Sequence, residues 1–131
     1  MADGRKALVT GGAGFIGSHM VDRLLELDYK VVVIDNLGTG KIKNLDSAAV
    51  FHHTDITQPT MDEIIQKEQP DLVFHMAAIA DPMRYVLEPL TTLQLDLKAS
   101  IDVLEIAASY EVKVAFASTS EVYGRNQKVP W

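Results

Sequence analysis

The 131 residues contain no cysteine, which excludes disulfides, thiolate chemistry and cysteine-ligated zinc and fits a reducing cytosol. The chain has no basic cluster either. Its formal charge of −6 is spread along its length, so there is no electrostatic footprint for a nucleic-acid backbone. No apolar run is long enough for a signal-peptide core or a membrane span, and the charged MADGRK start leads straight into ALVTGG. The histidines at 19, 52, 53 and 75 form no His-x-x-x-His pair, and no metal site is expected. These absences leave a cytoplasmic protein with no membrane and no nucleic-acid partner. A hydrophobic fraction of 47% and a charged fraction of 23% belong to an ordinary globular chain, and the length suits a single unit spanning 1–131.

Short apolar runs rich in β-branched residues alternate with segments of helical period, the pattern of parallel strands covered by helices on both faces. Strands are expected over Lys6 to Thr10, Lys30 to Asp35, Ala49 to His53, Leu72 to His75 and Val112 to Ser118, none with an internal proline. The chain reads as βαβαβαβαβ. In the first helix Ile16, Met20, Leu24 and Leu27 mark the face predicted to lie on the sheet. Thr60 and Glu63 form a candidate capping box for a short helix with Ile64 and Ile65 inward. The longest periodic stretch runs through Leu90, Leu93, Leu97, Ile101, Leu104 and Ala108, with Pro82 and Pro89 in its approach.

The densest signal is Thr10-Gly-Gly-Ala-Gly-Phe-Ile-Gly-Ser-His19, with glycines at 11, 14 and 17 between a strand and an amphipathic helix. Gly11 suits the positive φ of a tight turn, Gly14 lets backbone approach a pyrophosphate, and Gly17 allows close helix packing. The helix N-terminus then presents amides and a positive dipole end to the phosphates. Asp35, at the end of the second strand and eighteen residues after Gly17, is placed to accept hydrogen bonds from the adenosine ribose. An acid there repels a 2′-phosphate and no arginine follows closely, which favours NAD over NADP, although Lys41 and Lys43 are near.

With those residues stand Asp35-Asn36-Leu37 followed by Gly38-Thr39-Gly40, then Asp55-Ile56, His75-Met-Ala-Ala78, and Ser118-Thr-Ser-Glu-Val-Tyr-Gly124. In this order the motifs resemble the extended short-chain dehydrogenase/reductases, the NAD-dependent epimerase/dehydratase family that acts on nucleoside-diphosphate sugars. The resemblance covers essentially the whole chain. It implies an α/β, Rossmann-like doubly wound sheet of about five strands in the order 3-2-1-4-5. The implied cofactor-binding set is Gly11, Gly14, Phe15, Ile16, Gly17, Asp35, Asn36, Leu37, Gly40, Asp55, Ile56, Met76, Ala77, Ala78 and Ser118. Asp55 and Ile56 would border the adenine, and Ala77 and Ala78 would line the phosphates and ribose. Read from the residues alone, Asp55 is as well a turn or helix-start residue and the alanines plain packing. His75 reads as a structural strand-end residue.

By the same resemblance Thr119 hydrogen-bonds the sugar hydroxyl being oxidised, and Glu121 matches an acidic residue that dehydratases and decarboxylases use as a second acid or base. The stretch from Ala78 to Leu90 is similar to members that decarboxylate UDP-glucuronic acid. In that case Arg84 or Tyr85 touches substrate, the other reading being a surface loop.

The chain departs from the family in two places. No tyrosine is followed by a lysine at the Tyr-x-x-x-Lys spacing, and Asp96 stands where the family commonly carries asparagine on the fourth helix. The run from Tyr123 to Trp131 reads as a loop leading onward. The expectation is therefore the N-terminal portion of an enzyme that oxidises the sugar C4 hydroxyl transiently with tightly held NAD, binding cofactor without turnover. Its exposed helix face from Leu93 to Leu104 is expected to drive homo-oligomerisation. The alternative is a complete, non-catalytic dinucleotide-binding or interaction module.

Overall fold

Ala7 and Val9 turn to one face of strand β1 (Lys6–Thr10) and Leu8 to the other, and this two-residue alternation puts helices on both sides of the sheet. A computed structural model describes residues 4–79 and 81–124, without the side chains of Ser120 and Glu121. Strands β2 (Lys30–Asp35), β3 (Val50–His53), β4 (Leu72–His75) and β5 (Lys113–Phe116) join β1 in one parallel sheet ordered β3-β2-β1-β4-β5, as expected. The registers pair Thr10 with Ile34 and with His75, so the C-terminal ends of the strands meet at one edge.

Helix α1 (Phe15–Glu26) lays Val21 and Leu24 over Ala7, Val9, Val31 and Val33. On the opposite face α2 (Thr60–Glu68) contributes Met61, Ile64 and Ile65, and α5 (Ala99–Ser109) contributes Val103, to a core with Leu8, Val32, Ile34 and Val73. Each large aliphatic side chain removed from water here stabilises by roughly 1.5–3 kcal/mol before chain entropy is counted. No helix among the described residues is long and apolar enough to cross a membrane.

Several local readings are corrected. The buried face of α1 is Gly17, Ser18, Val21 and Leu24, whereas Ile16 and Leu27 are exposed. The helix begins with Gly17 pressed on the glycine loop, which rotates Ile16 toward the cleft described below. Thr60 does not cap α2: Pro59 holds the N-cap position without a side-chain bond, and the Thr60 hydroxyl pairs instead with Thr54 Oγ1 at 2.9 Å. The crossover between β2 and β3 contains only a three-residue 3₁₀ turn, Ile42–Asn44, so the βαβαβαβαβ reading has one helix too many.

The long periodic stretch is several pieces, α3 (Pro82–Leu87), α4 (Pro89–Leu93), a π-helical turn Gln94–Lys98 and α5. The break falls at Pro89, which has no N–H to donate. Its face against the sheet is Ala99, Ser100, Val103 and Ala107, small residues that let α5 approach closely. Leu90, Leu93, Leu97, Ile101 and Leu104 face outward, 43–75% exposed. The edge strands are shorter than expected: β3 omits Ala49, and β5 stops at Phe116.

Candidate functional site

At the end of β1 the chain turns so sharply that Gly11 adopts φ +69°, where a side chain is strained. A Cβ there would also lie 2.8 Å from Ala77 N, against the residue that follows β4. Gly17 is tighter still: a Cβ would sit 2.1 Å from Gly11 O. That contact holds the first turn of α1 against the loop. Gly14 occupies the N-cap with no side-chain bond to the helix and lines the cleft, and a Cβ on it would press on Gly11 O at 3.2 Å. The amides of the first turn, which have no intrahelical acceptor, are therefore directed to whatever lies over Gly14.

Asp35, at the end of β2, is 8% exposed and tied on both oxygens. Its Oδ2 accepts from Ala13 N at 2.9 Å and its Oδ1 from Leu37 N at 2.7 Å, joining the glycine loop to the turn after β2. Leu37 is held at φ +57° by this turn, and Gly40 packs so closely on Ala13 that a Cβ would meet its carbonyl carbon at 2.9 Å. Each Asp35 oxygen keeps a further lone pair, and the residue lines the cleft. Beside it Asn36 Nδ2 donates to Asp55 Oδ2 at 2.6 Å, and Thr57 donates through N and Oγ1 to Asp55 Oδ1 at 2.9 and 2.7 Å. Partial burial works against the Asp55 carboxylate, but these bonds outweigh it and hold the group below the usual carboxylate range.

The β4 end is built from hydroxyls and an imidazole. Thr10 Oγ1 accepts from Met76 N and Ala77 N, both at 3.2 Å, which leaves its proton for His75 Nδ1 at 2.7 Å. His75 then carries its own proton on Nε2 and donates to Ser100 Oγ at 3.1 Å, whose hydroxyl donates to the Asp96 carbonyl in the π turn. Burial pushes the His75 imidazole below the ordinary value, with the Asp96 charge pulling the other way. His75 is a structural strut, as the sequence implied. The Asp96 carboxylate accepts from Ile79 N at 2.8 Å, pinning the segment after β4 to the helix.

These parts enclose one cleft of about 540 Å³, within the range of small-molecule sites. Of the expected residues it brings together Gly11, Gly14, Phe15, Ile16 and Gly17 from the loop, and Asp35, Asn36, Asp55 and Ile56 from the β2 and β3 ends. Met76, Ala77 and Ala78 line it from β4. Leu37 and Gly40 shape the loop from behind and do not line the cleft. Ser118 and Thr119 are exposed at the end of β5, outside the lining, because β5 lies one strand beyond β4. The Glu121 side chain falls outside the described residues, as do Ala80 and residues 125–131. Arg84 lines the far end of the cleft, where the sequence had allowed a substrate contact, while Tyr85 does not line it. The lining residues not foreseen as site residues are Ile34, Gly38, Thr39, Thr54, Ile79, Asp81, Leu95 and Asp96. Thr54 and Ile79 belong to the segments just past β3 and β4, where open parallel sheets place their ligands, and that rule was the available signal. Among the described residues no group of three metal-ligating side chains occurs.

Comparison with known proteins places this architecture. Residues 7–130 match the NAD dependent epimerase/dehydratase family. The chain is 34% identical over 128 residues to UDP-glucuronic acid decarboxylase 1 of Danio rerio, covering 93% of this chain and 29% of that protein. It superposes on a Thermotoga maritima UDP-glucose 4-epimerase solved with UDP-glucose at a TM-score of 0.89, with 43% identity, covering 95% of this chain and 41% of that one. A Thermus thermophilus UDP-glucose 4-epimerase complexed with NAD gives a TM-score of 0.84 at 38% identity, over 87% of this chain and 37% of the other. The chain spans only 27–41% of the length of the curated relatives it matches. With the glycine loop, the acid ending β2 and the strand order all in place, the chain belongs to the NAD-dependent epimerase/dehydratase family.

Proposed function

We propose that this chain is the NAD-binding portion of an enzyme that acts on a nucleoside-diphosphate sugar and oxidises its C4 hydroxyl transiently. The observation that carries the reading is the continuous cleft running from Asp35 and Asp55, across the N-terminus of α1, to Ala77 and Ala78. A dinucleotide fits that cleft in one direction. The adenosine lies over Asp55 and Ile56 with its ribose hydroxyls donating to Asp35. The pyrophosphate rests over Gly14 and the amides of Phe15, Ile16 and Gly17. The second ribose and the nicotinamide then follow Met76, Ala77 and Ala78 toward the β4 side. Once bound, NAD supplies the hydride acceptor.

Thr119 and Glu121, beyond β5, are the residues of this chain assigned to the sugar, Thr119 as a hydroxyl partner and Glu121 as an acid or base. Neither is a strong base toward an alcohol, and no tyrosine in the chain has the lysine four residues on. We therefore assign cofactor binding without turnover to the chain by itself. The apolar face through Leu93, Leu97, Ile101 and Leu104 supports self-association. The lack of cysteine supports a cytoplasmic location.

Calorimetric titration with NAD and NADP, beside Asp35→Ala, tests the reading. Saturable NAD binding that weakens in the variant is expected, with NADP bound more weakly. Absence of NAD binding overturns it in favour of an interaction module.

A further inference from the structure

The two ends of the cleft differ in how their carboxylates are committed. On the β2 side Asp35 and Asp55 are each bound through both oxygens to nearby donors. On the β4 side Asp96 is half-buried, lines the cleft, and uses Oδ1 to hold Ile79 N. Its charge is not cancelled nearby: among the described residues no Lys, Arg or His forms an ion pair with it. The one cation in the lining, Arg84, is paired with Glu88 at 3.4 Å. The Asp96 charge acts on the neighbouring His75 imidazole, working against the effect of burial there. The carboxylate is also fixed in place. Its Oδ1 accepts from Ile79 N, so the carboxylate leaves this position only by breaking that bond, while Ser100 holds the backbone carbonyl of the same residue in the π turn.

A dinucleotide with its adenosine over β2 and β3 brings its nicotinamide to the β4 side. The oxidised ring carries a positive charge and the reduced ring none, while the rest of the molecule is the same. A fixed negative charge beside that ring therefore distinguishes the two forms.

We propose that Asp96 sets the redox preference of the cofactor, its carboxylate holding the cationic nicotinamide of NAD⁺ more tightly than the neutral ring of NADH. The proposal rests on the cofactor reading above. An enzyme that oxidises its substrate and later returns the hydride has to retain the oxidised form between turnovers, and a charge at this place favours that. Asparagine at the same position keeps the acceptor for Ile79 N and loses only the charge.

The test is the ratio of dissociation constants, NADH over NAD⁺, for the wild-type chain and for Asp96→Asn, by calorimetry with NADH fluorescence as a second readout. The ratio is expected to fall on the order of tenfold in the variant, the size of a single charge interaction at partly solvated range. An unchanged ratio, with both nucleotides still bound, overturns the proposal and leaves the cofactor reading standing. If wild type binds neither nucleotide, the cofactor reading falls and this proposal with it. Should Asp96→Asn not fold, the wild-type ratio measured from low to high salt decides. Screening is expected to shrink it, because the pyrophosphate contributes equally to both constants. A ratio independent of salt overturns the proposal.

Discussion

The β2 side and the β4 side of the cleft are held by different kinds of contact. The β2 side is main chain against main chain: Gly17 on Gly11, Gly40 on Ala13, and one buried carboxylate stitching Ala13 to Leu37. The β4 side is a relay of side chains, Thr10 to His75 to Ser100, ending on the carbonyl of a π turn. Backbone packing has no alternative arrangement at low cost, whereas hydroxyls and an imidazole can reorient or change protonation. The β2 side of the cleft is thus rigid, while the Thr10–His75–Ser100 relay behind the β4 side is adjustable, with Asp96 kept in place there by its bond to Ile79 N.

The largest effect is expected where the rigid side is overfilled. Gly17→Ala forces a Cβ into Gly11 O and should cost about 3 kcal/mol in chemical denaturation and abolish saturable NAD binding. Near-normal NAD affinity in that variant would mean the loop yields, and the contrast would be lost. Next is Asp35→Ala, which strands the Ala13 and Leu37 amides. A stability loss of about 2 kcal/mol and NAD binding weaker by at least about tenfold are expected.

The β4 side should answer to pH. His75 is neutral when folded because burial lowers its pKa, so the unfolded chain takes up the proton first as pH falls. Its contribution is fully present above pH of about 6.5 and is lost as pH drops from there toward the folded value, by at most about 1.4 kcal/mol per pH unit. Thermal melts from pH 8 to 5 should show this slope, and His75→Gln should flatten it. The opposite slope would mean that Asp96 outweighs burial. The smallest effect on stability is expected from Leu97→Glu with Ile101→Glu on the outward helix face. Within about 0.5 kcal/mol nothing should change in unfolding, while sedimentation shifts to monomer.

What was legible in the sequence follows the same division. The order of the strands came with the family resemblance, whereas the glycine loop, Asp35 and the strands themselves were readable because each rests on a local necessity, such as the positive φ at Gly11, or on the β-branched runs of buried strands. The helix faces were not. Periodicity shows that α5 is amphipathic, yet Ala99, Val103 and Ala107 face the sheet, and the larger leucines that dominate the pattern face out. Size was mistaken for burial: a helix lying close on a sheet selects small residues. The failed capping box at Thr60 has a similar origin, since Thr54 sits six residues away and takes the hydroxyl. The Thr10–His75–Ser100 relay was invisible because its partners lie 65 and 25 residues apart, and no short-range pattern encodes them.

The position of β1 in the middle of the sheet also sets a schedule for synthesis. Thr10 pairs with His75, 65 residues later. At ribosomal rates of about 5–20 residues per second, β1 waits roughly 3–13 s for its second neighbour after it has been made. During that interval Leu8 and Val9 lie on an open strand edge, available to a holding chaperone or to another nascent chain. The strand that organises the finished cleft is therefore also the one left unprotected longest while the protein is born.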